Sequence, residues 1–349
     1  MSFSDRLLAL GARLTDGVVD SFGDTSGEVR SALAAAETGA VLTPLLAARI
    51  LNVSGPDARD FLHGQLAADV KSVGPNAQVL SLLLNHKGHA LADVIVARVG
   101  SGYLLVVDDA KADLVAASLS DHIVFDDVSV NPADGAVLTL QGAGASEVLA
   151  AVGLAVPGEM KVTSAEFPAL HTFVLTRRRS AGGGFDIVLT RPPEISDAEF
   201  AEATAALVSS LSAAGAVLVG EAALAAARVA AMVPAAAREG GEGVLPQEAG
   251  MVERLSYRKG CYLGQEIMAR IEARGNLKRS LALMTLDGGP LSSVETGSVT
   301  FGGRAVGRVG TVALGPDGRK AALVVLRTDV PADADLELDG APARISRRG

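Results

Sequence analysis

The chain holds a single sulfhydryl, Cys261. It stands in the run Arg258-Lys259-Gly260-Cys261-Tyr262-Leu263-Gly264-Gln265-Glu266-Ile267-Met268-Ala269-Arg270. Ile267, Met268 and Ile271 share a helical face, and Gly275 falls where a C-terminal cap belongs, so the spacing predicts a helix beginning near Tyr262. Cys261 would then lie at the N-terminal end of that helix, where unpaired N–H groups and the dipole favour thiolate over thiol. Lys259, two residues earlier, adds a second positive charge or points to a ligand. Two readings stay open here: an exposed, oxidisable thiolate, or the small buried hydrophobe that a free cysteine usually is. Gln265 and Glu266 are expected to brace the loop, with Glu266 complementing the helix dipole from the first turn.

Other constellations are weaker. His86 and His89 lie near Asp93, but no tight i, i+4 pair completes a ligand set, so no metal site is expected. A resident iron–sulfur cluster takes four thiolates, which one cysteine cannot supply. Gly182-Gly183-Gly184 lacks the Lys-Ser or Lys-Thr of a phosphate loop and reads as a hairpin turn. His63 or His171 would serve a cysteine–histidine hydrolase only if the fold carried one of them to Cys261.

Composition narrows the partners. The 349 residues are 49% hydrophobic, contain no tryptophan and carry a formal net charge of −9. The basic triplet Arg177-Arg178-Arg179 and the tail Arg344, Arg347, Arg348 read as solvated surface, so direct nucleic-acid binding is not expected. Ala213 to Ala237 is apolar but contains Glu221, Arg228 and Pro234, which makes it a buried Ala-rich helical region rather than a membrane span. No basic-then-apolar leader opens the chain, and one cysteine forbids an intramolecular disulfide; both fit a reducing cytoplasm.

The elements that must position these residues follow from periodicity. Helical hints cover Arg6–Leu14 and Val29–Glu37. Ala48–Val53 reads as a strand, and Ser54-Gly55-Pro56-Asp57 starts a helix running to about Leu66. Val79–Leu84 and Leu91–Val99 are strands joined by the turn Asn85-His86-Lys87-Gly88, followed by a strand at Tyr103–Val107 and a helix opening at Asp108 or Asp109. Ala136–Leu140 and Ser146–Ala151 repeat strand then helix, and Thr172–Thr176 with Phe185–Leu189 form a hairpin. Ser196-Asp197-Ala198-Glu199 is a capping box before a long helix, and another helix covers Glu221–Met232. After Gly275, short β-branched runs separated by glycine, proline and aspartate predict an all-β module, sandwich or barrel.

Several of these segments resemble a known family. Lys-Gly-Cys-Tyr-x-Gly-Gln-Glu with Arg270 four residues on resembles the signature of the YgfZ family, itself similar to the aminomethyltransferase (T-protein) of glycine cleavage. Val53 to Leu66 resembles that family's opening segment, Ser81 to Gly88 and on to Asp93 its first hairpin, and Leu245-Pro246-Gln247-Glu248 the stretch before the cysteine loop. The resemblance covers most of residues 45–280.

It implies an α+β, multi-lobed aminomethyltransferase-like folate-binding fold: an extension over 1–44, a core of two interleaved lobes over 45–275, and a small β-barrel or sandwich over 276–349. It implies tetrahydrofolate or a derivative as ligand, and iron–sulfur client enzymes or assembly factors as partners, tRNA-modifying enzymes among the clients. On this view Cys261 is the redox-active or cluster-contacting thiol, and Lys259 and Arg270 supply positive charge near it or near the folate tail. Gln65, Asn85 and Asp93 line the pocket, while Gly260, Tyr262, Gly264, Gln265 and Glu266 shape the loop. Two departures count against one-carbon transfer: the acid pair of T-protein reads Ala92-Asp93 here, and Ala230 stands where the superfamily has a glutamate. Losing a carboxylate that accepts two N–H bonds costs about 1.5–3 kcal/mol. A folate-dependent transferase and a scaffold with a vestigial cleft are the alternatives to an accessory protein.

Overall fold

The computed structural model describes residues 1–108, 111–167, 170–275, 277–286, 297–315 and 318–349. The chain opens with α1 (Phe3–Ala9), begun by a reciprocal capping box between Ser2 and Asp5. The expected helix does not continue to Leu14. Asp16 and Gly17 both adopt positive φ (50° and 80°), the turn that folds β1 (Arg13–Thr15) back on β2 (Val18–Ser21). α2 (Thr25–Ala34) and β3 (Ala40–Pro44) follow.

A five-stranded antiparallel sheet comes next, built from β4 (Arg49–Ser54), β5 (Ala77–Leu84), β6 (Ala90–Val99), β7 (Gly102–Val107) and β8 (Ser129–Ala133) in the order β5-β6-β7-β4-β8. α3 (Ala58–Gln65) and α4 (Ala112–Asp121) belong to the same lobe. The helix expected to open at Asp108 starts later, and Asp109 lies outside the described residues. A second sheet takes β9 (Gly135–Gln141), β10 (Val162–Phe167), β11 (Leu170–Thr176), β12 (Gly184–Thr190) and β13 (Ala216–Leu218), ordered β10-β11-β12-β9-β3-β13. Its helices are α5 (Ala145–Ala151) and α6 (Asp197–Ala213), the latter begun by the expected capping box at Ser196 and Glu199.

The two sheets pack face to face, and strand alternation shows how. On β6, Ala92, Val94 and Val96 join a core with Phe61 and Leu62 of α3 and Val115 and Leu119 of α4. Ile95 and Ala97, on the opposite face, join Val137, Leu175 and Val188 of the second sheet. Ile187 and Leu189 of β12 point away from that seam to Leu149 of α5 and Leu207 and Leu211 of α6. A period of two thus sorts each strand between a helix-covered core and the inter-sheet seam.

α7 (Glu221–Ala230) then crosses to the third lobe, ending two residues before the expected Met232. α8 (Gln265–Arg274) precedes a closed barrel of β14 (Arg279–Leu286), β15 (Ser298–Phe301), β16 (Arg304–Leu314), β17 (Lys320–Arg327), β18 (Leu336–Leu338) and β19 (Ala341–Arg348). Its order, β14-β17-β16-β15-β18-β19, closes by pairing β14 with β19, which leaves no free edge. Of the two forms predicted for this module, the barrel is the one adopted. Among the described residues no helix is long and apolar enough to cross a membrane.

Candidate functional site

The cysteine loop is built from two buried anchors around an exposed tip. Lys259 is buried, and its ammonium donates to the backbone oxygens of His63, Leu66 and, at 2.9 Å, Ala68. An ammonium has three donors, and all three are used at the C-terminal end of α3. Tyr262 is buried as well, and the Lys259 charge lies 4.6 Å from its ring centroid. That contact closes the loop across i, i+3, so Gly260 and Cys261 are pushed out, both exposed. Three charge-assisted bonds of about 1.5–3 kcal/mol each offset an ammonium desolvation cost of several kcal/mol, so the clamp chiefly fixes position. Burial drives the Lys259 pKa down to about 8, with Asp69 opposing, and raises that of the Tyr262 phenol to about 12.

The predicted helix start is corrected. α8 begins at Gln265, and its N-cap is Gly264 in the left-handed region at φ 84°. Cys261 therefore precedes the cap by three residues, outside the first turn in which a helix dipole acts. The reason is tertiary: a Cβ on Gly264 would stand 2.8 Å from the Asn85 carbonyl oxygen and 3.1 Å from Gly88 Cα. Gly88 in turn sits against Ile267 and Met268 of α8. The first hairpin and the cysteine loop meet backbone to backbone, at positions where only glycine fits. Lys259 is likewise corrected: its charge is engaged by carbonyls, not held free for the sulfur or a ligand tail.

Neighbouring residues support the loop. Gln247 donates from Nε2 to the Tyr257 hydroxyl at 3.1 Å and approaches Met268 Sδ at 3.3 Å. Glu248, buried, accepts from Leu245 N–H and pairs with Arg279 at 2.9 Å, tying this stretch to the first barrel strand. Glu266 and Arg270 are exposed on α8, and the Gln265 N–H bonds the Tyr262 carbonyl at 3.1 Å. His63 lies beside the loop, its Nδ1 3.2 Å from Asp69, and burial followed by Lys259 lowers its pKa. His171 is exposed on β11 of the other sheet.

A sizeable cavity lies elsewhere. It measures about 690 Å³ and opens among the N-terminal hairpin, α2, the end of β7, α7 and barrel strand β16. Val18, Leu45, Leu224 and Val312 give it apolar walls, while Asp108, Arg179, Arg228, Arg238 and Thr311 give it polar ones. Asp108 pairs with Arg177 and Arg179 at 2.9 and 2.8 Å, and Arg179 also binds the fully buried Asp186 at 2.6 Å. Burial pushes the Asp108 carboxyl up, but Arg179 and then Arg177 outweigh it and hold it well below the ordinary range. Arg228 donates to Glu239 at 2.8 Å, and Glu239 accepts from Thr311 at 2.6 Å, locking the barrel against α7.

None of Gln65, Asn85, Asp93, Arg270 or Cys261 lines this cavity. The reason differs for each polar residue. Asn85 folds its side chain into the hairpin turn, accepting from Lys87 and His89 N–H at 2.9 and 3.0 Å. Asp93 is buried against Arg254 and the Ala236 N–H (2.6 Å). Gln65 is the half-buried last residue of α3. Ala92 is core, and Ala230 is exposed beyond the part of α7 that faces the cavity.

The arginine triplet is also corrected. Arg177 and Arg179 are buried and ion-paired, and only Arg178 points to solvent. The buried–exposed–buried alternation is that of a strand continued beyond β11. That period, with Asp186 on the partner strand, was the available sign of an internal pairing.

The cavity fits a folate in size, since small-molecule sites commonly span about 300–1,000 Å³. Asp108 offers a carboxylate to pterin N–H groups, and Arg177 keeps Nε and Nη1 buried without a protein partner behind it. No aromatic ring is among the described lining residues, so the contact surface is aliphatic.

Comparison with known proteins follows the same outline. The family described as GCVT N-terminal domain matches residues 24–259. The chain is 28% identical to tRNA-modifying protein YgfZ of Cronobacter sakazakii over 287 residues, covering 80% of this chain and 83% of that one. It is 29% identical to the protein of that name from Edwardsiella ictaluri over 299 residues, 82% and 85% of the two chains. Among solved structures, the glycine cleavage system aminomethyltransferase T of Bartonella henselae superposes with a TM-score of 0.81 at 19% identity, covering 98% and 95%. The resemblance and the multi-lobed fold drawn from the sequence are borne out.

Proposed function

The chain belongs to the GCVT N-terminal domain family, and we propose that it is a folate-binding accessory protein that supports the synthesis or repair of iron–sulfur enzymes, tRNA-modifying ones included. The observation that carries this reading is the pinned tip, with Lys259 and Tyr262 buried and in contact while Cys261 is exposed between them. A thiol presented this way is built to meet another macromolecule rather than a ligand enclosed in its own fold.

Tetrahydrofolate or a derivative is assigned to the central cavity. Asp108 accepts from the pterin edge, Arg179 fixes that carboxylate, and Arg238 at the rim offers charge to the glutamate tail. A reduced folate brings one-carbon chemistry with it. This chain's own contribution is to bind and shelter the ligand. The transferase reading is disfavoured because Asp93, the surviving acid of the pair, is turned away from the cavity that Asp108 lines and is buried against Arg254 and the Ala236 N–H. Iron–sulfur enzymes or assembly factors of the cytoplasm are the proposed partners, approached at Cys261.

Two measurements test the pair of roles. Titration of purified protein with tetrahydrofolate should give saturable binding, weakened about tenfold or more by Asp108→Ala, which removes a charged acceptor. Cys261→Ser should bind folate as the parent does, yet fail to restore iron–sulfur enzyme activity in cells lacking the native protein. Full restoration by that variant would remove the thiol from the account.

A further inference from the structure

Phe125 is 97% exposed and Val124 70%, whereas the other exposed large hydrophobics among the described residues, Met1 apart, are at most half accessible. The pair forms the tip of the connection from α4 to β8, and that connection is held at its base. The Asp127 N–H donates to the Asp57 carboxylate at 2.8 Å, and the Asp57 N–H reaches back to the Asp127 carbonyl. Gly55, at φ 117°, is packed so closely that a Cβ there would lie 2.1 Å from the Asp127 oxygen. A phenyl ring on an anchored turn loses little conformational freedom when it docks, the property shared by aromatic hot spots. Asp121, Asp126 and Asp127, all exposed, surround it in sequence.

Asp57 is the N-cap of α3, and the other end of α3 supplies carbonyls that clamp Lys259. One eight-residue helix, about 12 Å long, therefore links the Phe125 turn to the loop bearing Cys261. A span of that length is within the width of a protein interface of ordinary size, about 800 Å² per partner.

We infer that the Val124–Phe125 tip is a docking anchor for a protein partner that offers an apolar pocket rimmed by lysine or arginine. The acidic surround repels phosphate, so neither RNA nor an anionic membrane suits it, and it disfavours a second copy of this chain, whose net charge is −9. This rests on the proposed reading in which a protein comes to Cys261, and adds how that protein is held.

The test places a photo-crosslinking benzoylphenylalanine at position 125 of the full chain in its own cells. The expected adduct is to a protein, at a peptide with apolar residues flanked by lysine or arginine. Purified, that protein should bind the parent chain with an affinity that falls as salt rises, and Phe125→Asp should weaken it at least ~30-fold while folate binding is unchanged. Adducts only to RNA, to lipid, to this chain itself, or to nothing would overturn the inference, as would an unaltered affinity for Phe125→Asp. Loss of function in Cys261→Ser alongside full function in Phe125→Asp would refute the anchor and leave the thiol reading standing.

Discussion

Arg254 closes on the carboxylate of Asp93 inside the protein, both side chains almost fully removed from solvent. Its second nitrogen donates to the Pro234 carbonyl at 2.6 Å, and Asp93 accepts the Ala236 N–H at 2.6 Å. One ion pair thus ties β6 to the connection after α7 and to the segment leading into the cysteine loop. Breaking a buried pair from one side leaves an uncompensated charge, which costs about 3–5 kcal/mol. Arg254→Met should show that loss in urea unfolding. The double variant Arg254→Met, Asp93→Leu should recover much of it, an outcome that marks Asp93 as structural.

Lys259 makes stability depend on pH in an unusual direction. The unfolded chain keeps this proton up to about 10.5, and the folded chain only to about 8. Between those values the unfolded state binds more protons, so stability contributed at this position rises with pH through the window. Urea midpoints of the parent should therefore gain on those of Lys259→Met between pH 8 and about 9, below the pH of about 10 at which ordinary tyrosines are half ionised. A flat difference across that range would show that the ammonium is not desolvated.

Gly264→Ala should displace the cysteine loop. The substitution forces a side chain into left-handed backbone and against the Asn85 carbonyl, a combined strain of about 1–3 kcal/mol. Thermal unfolding should register the loss, and proteolytic nicking near Cys261 should quicken. Gly260→Ala is the control, because nothing lies within 4 Å of its added carbon.

Much of the fold was legible because strands of period two and helices with caps announce themselves locally. The turn at Asn85–Gly88, the capping box at Ser196 and the β-rich texture after Gly275 all reflect contacts within a few residues. The errors fell where distant groups decide. Periodicity placed the start of α8 at Tyr262, but Gly264 must pass against the hairpin at Asn85, and that contact makes the helix start later, at Gln265. Asp108 reads as a helix opener and the arginine triplet as surface, yet each supplies the other's missing partner across 69 residues or more of chain. Asp93 has the right type for ligand chemistry, and only the fold reveals that Arg254 already occupies it. The motif around Cys261 stands out in the sequence by its residue types, but its placement relies on carbonyls of α3 rather than on a dipole.

The cavity and the sulfur occupy different addresses in the molecule. Side chains can therefore be changed in one without touching the lining of the other, so the two proposed roles can be lost independently. A protein arranged in this way is a pair of separable inheritances sharing one scaffold.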